Sequence, residues 1–219
     1  MEKDIMFSGI EIFHEEAERY VQINDIKGDE LLRIWDEFKA KYTGFECNLC
    51  FRNMEPPYDA LDKIGATLLE DCIGMELTPD NFKPFTQVEV SLLDKKDFAG
   101  FAKLHDQLPD MYWTSRRIWD RFDDMWRIPV YKEKGEIVGY SLINISMHRE
   151  NEGEFYAVEA PTPQARKSLL TAAAKEAFKV GKDYILRMVV RGSDTQYEES
   201  EAIGFCEAGY YRGFEITEL

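Results

Sequence analysis

Cysteine is scarce in this chain of 219 residues, with only Cys47, Cys50, Cys72 and Cys206. Four are too few for a disulfide scaffold at this length, so a reducing cytoplasm is the expected compartment. Histidine is scarcer still. His14, His105 and His148 are scattered, and no nucleophile–base pair can be assembled from them. Cys47-x-x-Cys50 is half a zinc knuckle without a second pair or suitable histidines. On a strand its two thiols point to opposite faces, so no metal is expected. Basic residues are also short: 27 against 42 acidic ones, a formal charge of −15. That argues against nucleic acid, which needs cationic surface to displace counterions, and against an anionic membrane surface. It is compatible with a cationic or amine partner. No apolar run approaches the roughly 18–20 residues that span a bilayer. The opening MEKDIMFSGIEIF carries early acids and no small-residue cleavage site, so no secretion signal is expected.

What is present is an ordinary globular composition, 44% hydrophobic and 32% charged, sufficient for one large domain or two small ones. The most organised stretch runs from Glu154 to Gly181. It reads as a strand, a proline-marked turn and an amphipathic helix. Strict alternation puts Phe155, Ala157 and Glu159 on one face of the strand and Glu154, Tyr156 and Val158 on the other. Thr162 stands where an N-cap belongs and Pro163 where the first helical residue belongs. Leu169, Leu170, Ala173, Ala174, Ala177 and Phe178 then repeat at helical spacing, and Gly181 ends the helix. A strand feeding a helix N-terminus is a ready anion site, because free N–H groups and the helix dipole point at one spot.

The remaining chain reads in order. Ile5–Phe13 is strand-like, HEEAE a hairpin turn and ERYVQIND a second strand. GDELLRIWDEFKAKY is a helix, GFECNLCFR a buried strand, YDALDKIG a short helix and ATLLEDCIGMEL a strand or hairpin. TPDNFKPF, with two prolines, is a linker. QVEVSLLD is a strand, KDFAGFAKLHDQL and SRRIWDRFDDM are helices, and WRIPVYKEKGEIVGYSLINIS is a hairpin turning at Glu133-Lys134-Gly135-Glu136. After the central strand and helix come a strand DYILRMVV, a helix QYEESEAIG and a closing hairpin FCEAGYYRGFEITEL. The halves echo each other. Leu31-Leu32 and Leu169-Leu170 lie 169 − 31 = 138 apart, and Gly65 and Gly204 lie 204 − 65 = 139 apart. A long-period duplication is therefore expected.

From Gln87 onward, the element order and three local segments resemble the GNAT family of acyl-CoA-dependent N-acyltransferases. The segments are GEIVGYSLI, EFYAVEAPTPQARKSLLTAAAKEAFKVG and EAIGFCEAGYYRGFE. The resemblance implies an α/β protein with a mixed sheet, built as a truncated copy (1–79), a linker (80–86) and a complete copy (87–219). The halves would abut through their sheets or pack with pseudo-twofold symmetry. It implies acetyl-CoA or another acyl-CoA as co-substrate, with the pantetheine arm against Tyr156, Ala157 and Val158. The diphosphate would lie at the helix start, on Gln164, Ala165, Arg166, Lys167, Ser168 and Leu169. The chain departs from the family pattern there, since the loop before the Leu-Leu pair has no glycine. It departs again at Ser200, where the family often has a general-acid tyrosine. Tyr197, one turn earlier, is the substitute acid and Glu154 the expected base. The plainer readings stay open beside these: a solvated carboxylate for Glu154 and a packed ring for Tyr197, as for its counterpart Tyr58. Trp113, Trp119 and Trp126 lie where the family shapes its acceptor pocket, or are simply core. The implied reaction is direct acyl transfer to a small amine, with a homodimer left open. The alternative is a GNAT-fold module that binds and does not catalyse.

Overall fold

The computed structural model describes residues 2–109, 111–146, 151–217 and 219; His148 lies outside them. The chain forms two compact units, Met1–Ile73 with Gly209–Leu219, and Gly74–Ala208.

The first unit opens with β1 (Glu2–Phe7) and β2 (Ile10–Glu15). The sequence read as one extended stretch here is thus two strands. Ser8 and Gly9 both take positive φ (47° and 87°), the geometry of a tight hairpin turn. Then come β3 (Tyr20–Asn24), α1 (Gly28–Lys41), β4 (Glu46–Arg52), α2 (Tyr58–Ile64) and β5 (Thr67–Leu77), the last a single strand whose later residues belong to the second unit. β1, β2 and β3 pair antiparallel in turn, and β3 runs parallel to β4. α1 buries Leu31, Ile34 and Phe38, a stripe at i, i+3 and i+7, with acids in its first turn and lysines in its last. They pack on Val21, Ile23, Leu49 and Phe51. Cys47 joins this core. Cys50 faces the other way, its sulfur 3.0 Å from the Tyr211 hydroxyl.

The second unit contains β6 (Val90–Leu92), α3 (Phe98–His105), α4 (Ser115–Asp120), α5 (Phe122–Met125), β7 (Trp126–Arg127), β8 (Pro129–Glu133), β9 (Glu136–Asn144), β10 (Glu152–Glu159), α6 (Pro163–Lys179), β11 (Tyr184–Val190) and α7 (Asp194–Ala202). The helix expected over SRRIWDRFDDM is two, because Arg121 leaves helical geometry (φ −123°, ψ 17°). The strand order is β6-β8-β9-β10-β11, with β7 also on β9 and only β10–β11 parallel. Lys134 and Gly135 turn the β8–β9 hairpin with positive φ. α6 starts at Thr162, whose Oγ1 accepts from the Ala165 amide at 3.2 Å, with Pro163 in the first turn. It ends in a Schellman motif, with Gly181 N–H to Phe178 O and Lys182 N–H to Ala177 O.

The closing hairpin does not form. Cys206–Ile216 is one strand, β12, and Tyr211–Ile216 pairs with β4. Gly209 marks a close approach rather than a turn. A Cβ on Gly209 would sit 1.9 Å from Asn53 Oδ1, which accepts from the Tyr210 amide. Phe214, Ile216 and Leu219 bury in the α1 core, so the last eleven residues group with the first unit rather than with 87–208. Residues 80–86 carry no regular element but are pinned. The amides of Lys83 and Phe85 donate to Ile203 O and Thr171 Oγ1.

Candidate functional site

β10 and β11 pair at four positions only, from Glu152–Tyr184 to Phe155–Arg187. Beyond these, β10 continues on β9 to Glu159 and β11 continues to Val190, so the two parallel strands part. By contrast β3 and β4 stay in register from Tyr20–Glu46 to Asn24–Cys50, the whole length of β3. The parting coincides with a β-bulge. Phe155 opposes Ile143 and Ala157 opposes Leu142, which leaves Tyr156 as the extra residue.

The bulge overturns the alternation expected from the sequence. Cross-strand neighbours share a face. Ser141 faces α6, since its hydroxyl donates to Leu169 O at 3.0 Å, and Tyr140 faces α3, packed on Phe101. Phe155 and Val158, opposite Ile143 and Ser141, therefore face α6. Glu154, Ala157 and Glu159, opposite Asn144, Leu142 and Tyr140, face α3. Tyr156 joins them, its ring 5.2 Å from Trp126 and 6.2 Å from Trp113. Two carboxylates and one phenol thus share the face that a strict two-residue repeat divides. Glu159 is the member that the sequence reading missed, and a strand-end acid offered no signal for it. Burial raises its carboxyl above the usual range, while the charge of Arg166 pulls it down.

Behind this face lies a buried polar pair. The Trp113 carbonyl can only accept, so His105 Nε2 carries the proton (2.6 Å) and Nδ1 accepts from the Tyr140 hydroxyl at 2.7 Å. Burial, then Glu159 and Asp106, push the Tyr140 phenol far above its ordinary value. Tyr140→Phe should cost about 1–3 kcal/mol, because Nδ1 is left buried without a donor; a urea unfolding curve reads it. A cleft of about 460 Å³ is lined by His105, Asp106, Leu108, Met111, Thr114, Ser115 and Arg116. Of the tryptophans expected at a pocket, Trp113 and Trp126 are core and Trp119 is exposed, packed on Phe98.

The helix start that follows β10 is largely satisfied by its own chain. Pro163 has no N–H. Thr162 takes the amides of Ala165 and Arg166, and Gln164 keeps the one first-turn amide without such a partner among the described residues. Ala165 and Leu169 are buried. Ser168 Oγ accepts from the Gln87 amide and donates to Gln164 O, and Lys167 Nζ lies 4.3 Å over the Phe85 ring. Arg166 grips the buried carboxylate of Glu199 on α7, at 2.8 Å from Nε and 2.8 Å from Nη2, and donates from Nη1 to Ala160 O. Arg187, also buried, donates to Ser200 Oγ at 2.7 Å. Burial lowers its pKa to about 10, with Glu199 opposing the fall and Arg166 adding to it. The Tyr197 hydroxyl donates to Glu207 at 2.7 Å, a bond that raises its pKa to about 12. Of the two catalytic candidates, Glu154 lies in the third of the four β10–β11 pairs, just before the strands part, whereas Tyr197 is engaged with Glu207 on β12.

No family model and no curated protein matches the sequence. Solved structures do resemble it. A functionally unknown conserved protein from Staphylococcus epidermidis is 10% identical, with a TM-score of 0.74 over 100% of this chain and 95% of its own. A GCN5-related N-acetyltransferase from Kribbella flavida is 12% identical, with a TM-score of 0.72 over 98% and 89%. A tandem GNAT protein from the clavulanic acid biosynthesis pathway is 10% identical, with a TM-score of 0.63 over 94% and 78%.

Proposed function

The fold being that of the GNAT acetyltransferases, we propose that this chain is an N-acyltransferase that uses an acyl-CoA, acetyl-CoA in the simplest case, to acylate a small amine. The observation that carries this reading is the parting of β10 from β11 at the Tyr156 bulge. A pantetheine arm has two amides and the width of an extended chain, so its chemistry suits a strand edge that has lost its neighbour. The fit at the other end of such a ligand is narrower. Gln164 N–H and Arg166 are what the helix start has left for a diphosphate, and glycine is absent where it would let backbone approach phosphate closely. An acyl-CoA supplies the thioester that an amine attacks.

The chain's own residues handle the amine. Glu154 and Glu159 face the α3 side, and either can take the proton that the amine sheds. Burial raises the pKa of Glu159, which makes its carboxylate a better proton acceptor than an ordinary one. The acceptor comes from that side, past the cleft at Asp106, and the chain's net charge of −15 favours a cationic amine. A second reading, a module that binds without catalysis, has its own support: Ser200 donates to Gln196 O and Tyr197 to Glu207, so neither hydroxyl is directed to a departing thiolate.

The same reading takes the chain as a truncated copy followed by a complete one. β4 and β11, seven residues each, start 138 residues apart (184 against 46). β5 and β12, eleven each, start 139 apart (206 against 67). Because β3 and β4 do not part, one acyl-CoA should bind per chain.

The test is calorimetric titration of acetyl-CoA, then thiol release with a panel of amines. One site per chain and amine-dependent release are expected. Glu154→Gln or Glu159→Gln, whichever is the base, should lower kcat by about 10²–10⁴-fold with cofactor affinity unchanged. No binding at millimolar acetyl-CoA sinks the proposal; binding without release for any amine leaves the second reading.

A further inference from the structure

Beyond the point where the two strands part, an ion pair bridges the helices that follow them. β10 leads into α6 and β11 leads into α7, so the C-terminal ends of the diverging strands are continued by these two helices. Arg166 stands in the first turn of α6 and Glu199 on α7, and their pairing ties one side of the opening to the other. All three guanidinium nitrogens are used: Nε and Nη2 on the carboxylate, Nη1 on the carbonyl of Ala160, the residue after β10. Nε and Nη2 converge on Glu199 Oε1, and the same two donors are the ones with which arginine grips phosphate. The neighbouring residues cannot stand in for it, since Lys167 is over Phe85 and Ser168 serves Gln87.

We propose that Glu199 sets the affinity of this opening for a diphosphate: its carboxylate holds the guanidinium that the ligand's anionic oxygens need, and binding exchanges one anion for the other on Arg166. The inference rests on the acyl-CoA reading above. The exchange does not strand Glu199. Arg187 is buried and bonded to Ser200, the residue after Glu199, so a second guanidinium stands next to the carboxylate and takes over as its partner. The cluster thus has two satisfied arrangements. Without ligand, Arg166 holds the carboxylate of Glu199 while Arg187 is bonded to Ser200 beside it. With ligand, Arg166 serves the diphosphate and Arg187 keeps Glu199. The chain's missing glycines are then part of the same design, because affinity comes from a released side chain instead of from close-packed backbone amides.

The experiment titrates CoA into the full chain at low salt, in the wild type, Glu199→Gln, Arg166→Met and the double variant. Removing the carboxylate charge should tighten CoA binding about tenfold, and Arg166→Met should weaken it about as much. In the Arg166→Met background, Glu199→Gln should change nothing, since the two residues act as one unit. If the wild type binds CoA and Glu199→Gln binds no tighter, or still tightens binding without Arg166, the exchange is overturned while the acyl-CoA reading stands. If neither the wild type nor Glu199→Gln binds at millimolar CoA, both fall. Should a variant fail to fold, the wild type alone decides. The NMR resonance of the Arg166 Nε–H should move on addition of CoA, and binding that leaves it in place overturns the exchange.

Discussion

Glu199→Ala should lower the unfolding free energy by about 3–5 kcal/mol, the usual cost of leaving a buried charge without its partner. Arg187 bears the loss. It is 4% exposed, its guanidinium has Ser200 for a hydrogen bond, and Glu199 is the carboxylate that steadies its charge. Arg166 is different, with a side chain 25% exposed, and once released it can turn to water. Arg166→Met should therefore cost less than Glu199→Ala, since Glu199 keeps the charge of the buried Arg187 nearby. Urea unfolding of the two variants reads the asymmetry. Equal losses would mean that Arg187 does not depend on Glu199, and the exchange on Arg166 would lose its second arrangement.

Gly204→Ala should cost about 3 kcal/mol or more, against roughly 1 kcal/mol for Gly65→Ala. The two glycines occupy matching places after α2 and α7, and both have positive φ (75° and 103°). The left-handed strain of a side chain is common to both. A Cβ on Gly65 meets nothing within 4 Å, but one on Gly204 would lie 1.9 Å from the Asn81 carbonyl oxygen. That carbonyl cannot retreat. Asn81 Oδ1 holds the Thr78 amide at 2.7 Å, and the Lys83 amide holds Ile203 O at 2.9 Å. The comparison is a urea midpoint for each variant; similar shifts would show that the 78–83 segment yields easily.

Much of this architecture is legible in local chemistry. Thr162, Pro163 and Gly181 bound α6 as capping rules require, Lys134-Gly135 turns its hairpin, and the apolar stripe of α1 faces the core. The misreadings have a shared cause. Gly209 and Gly213 look like turn formers, but both lie within one strand, and Gly209 makes room for the distant side chain of Asn53. Ser8-Gly9 turns the chain although neither neighbouring strand shows a break in its apolar pattern. Arg166 looks like a free cation at a helix start, and its partner lies 33 residues on.

By itself the sequence determined most helices, most strands and most of their order, because periodicity, caps and turn residues act over a few positions. Only the tertiary structure decided that β10 carries a bulge at Tyr156, that it leaves β11 after four pairs, and that Glu154 and Glu159 share a face. It alone decided that Arg166 is taken by Glu199. Register, strand parting and the choice of an ion-pair partner are set by packing between residues far apart in the chain, and no local pattern encodes them.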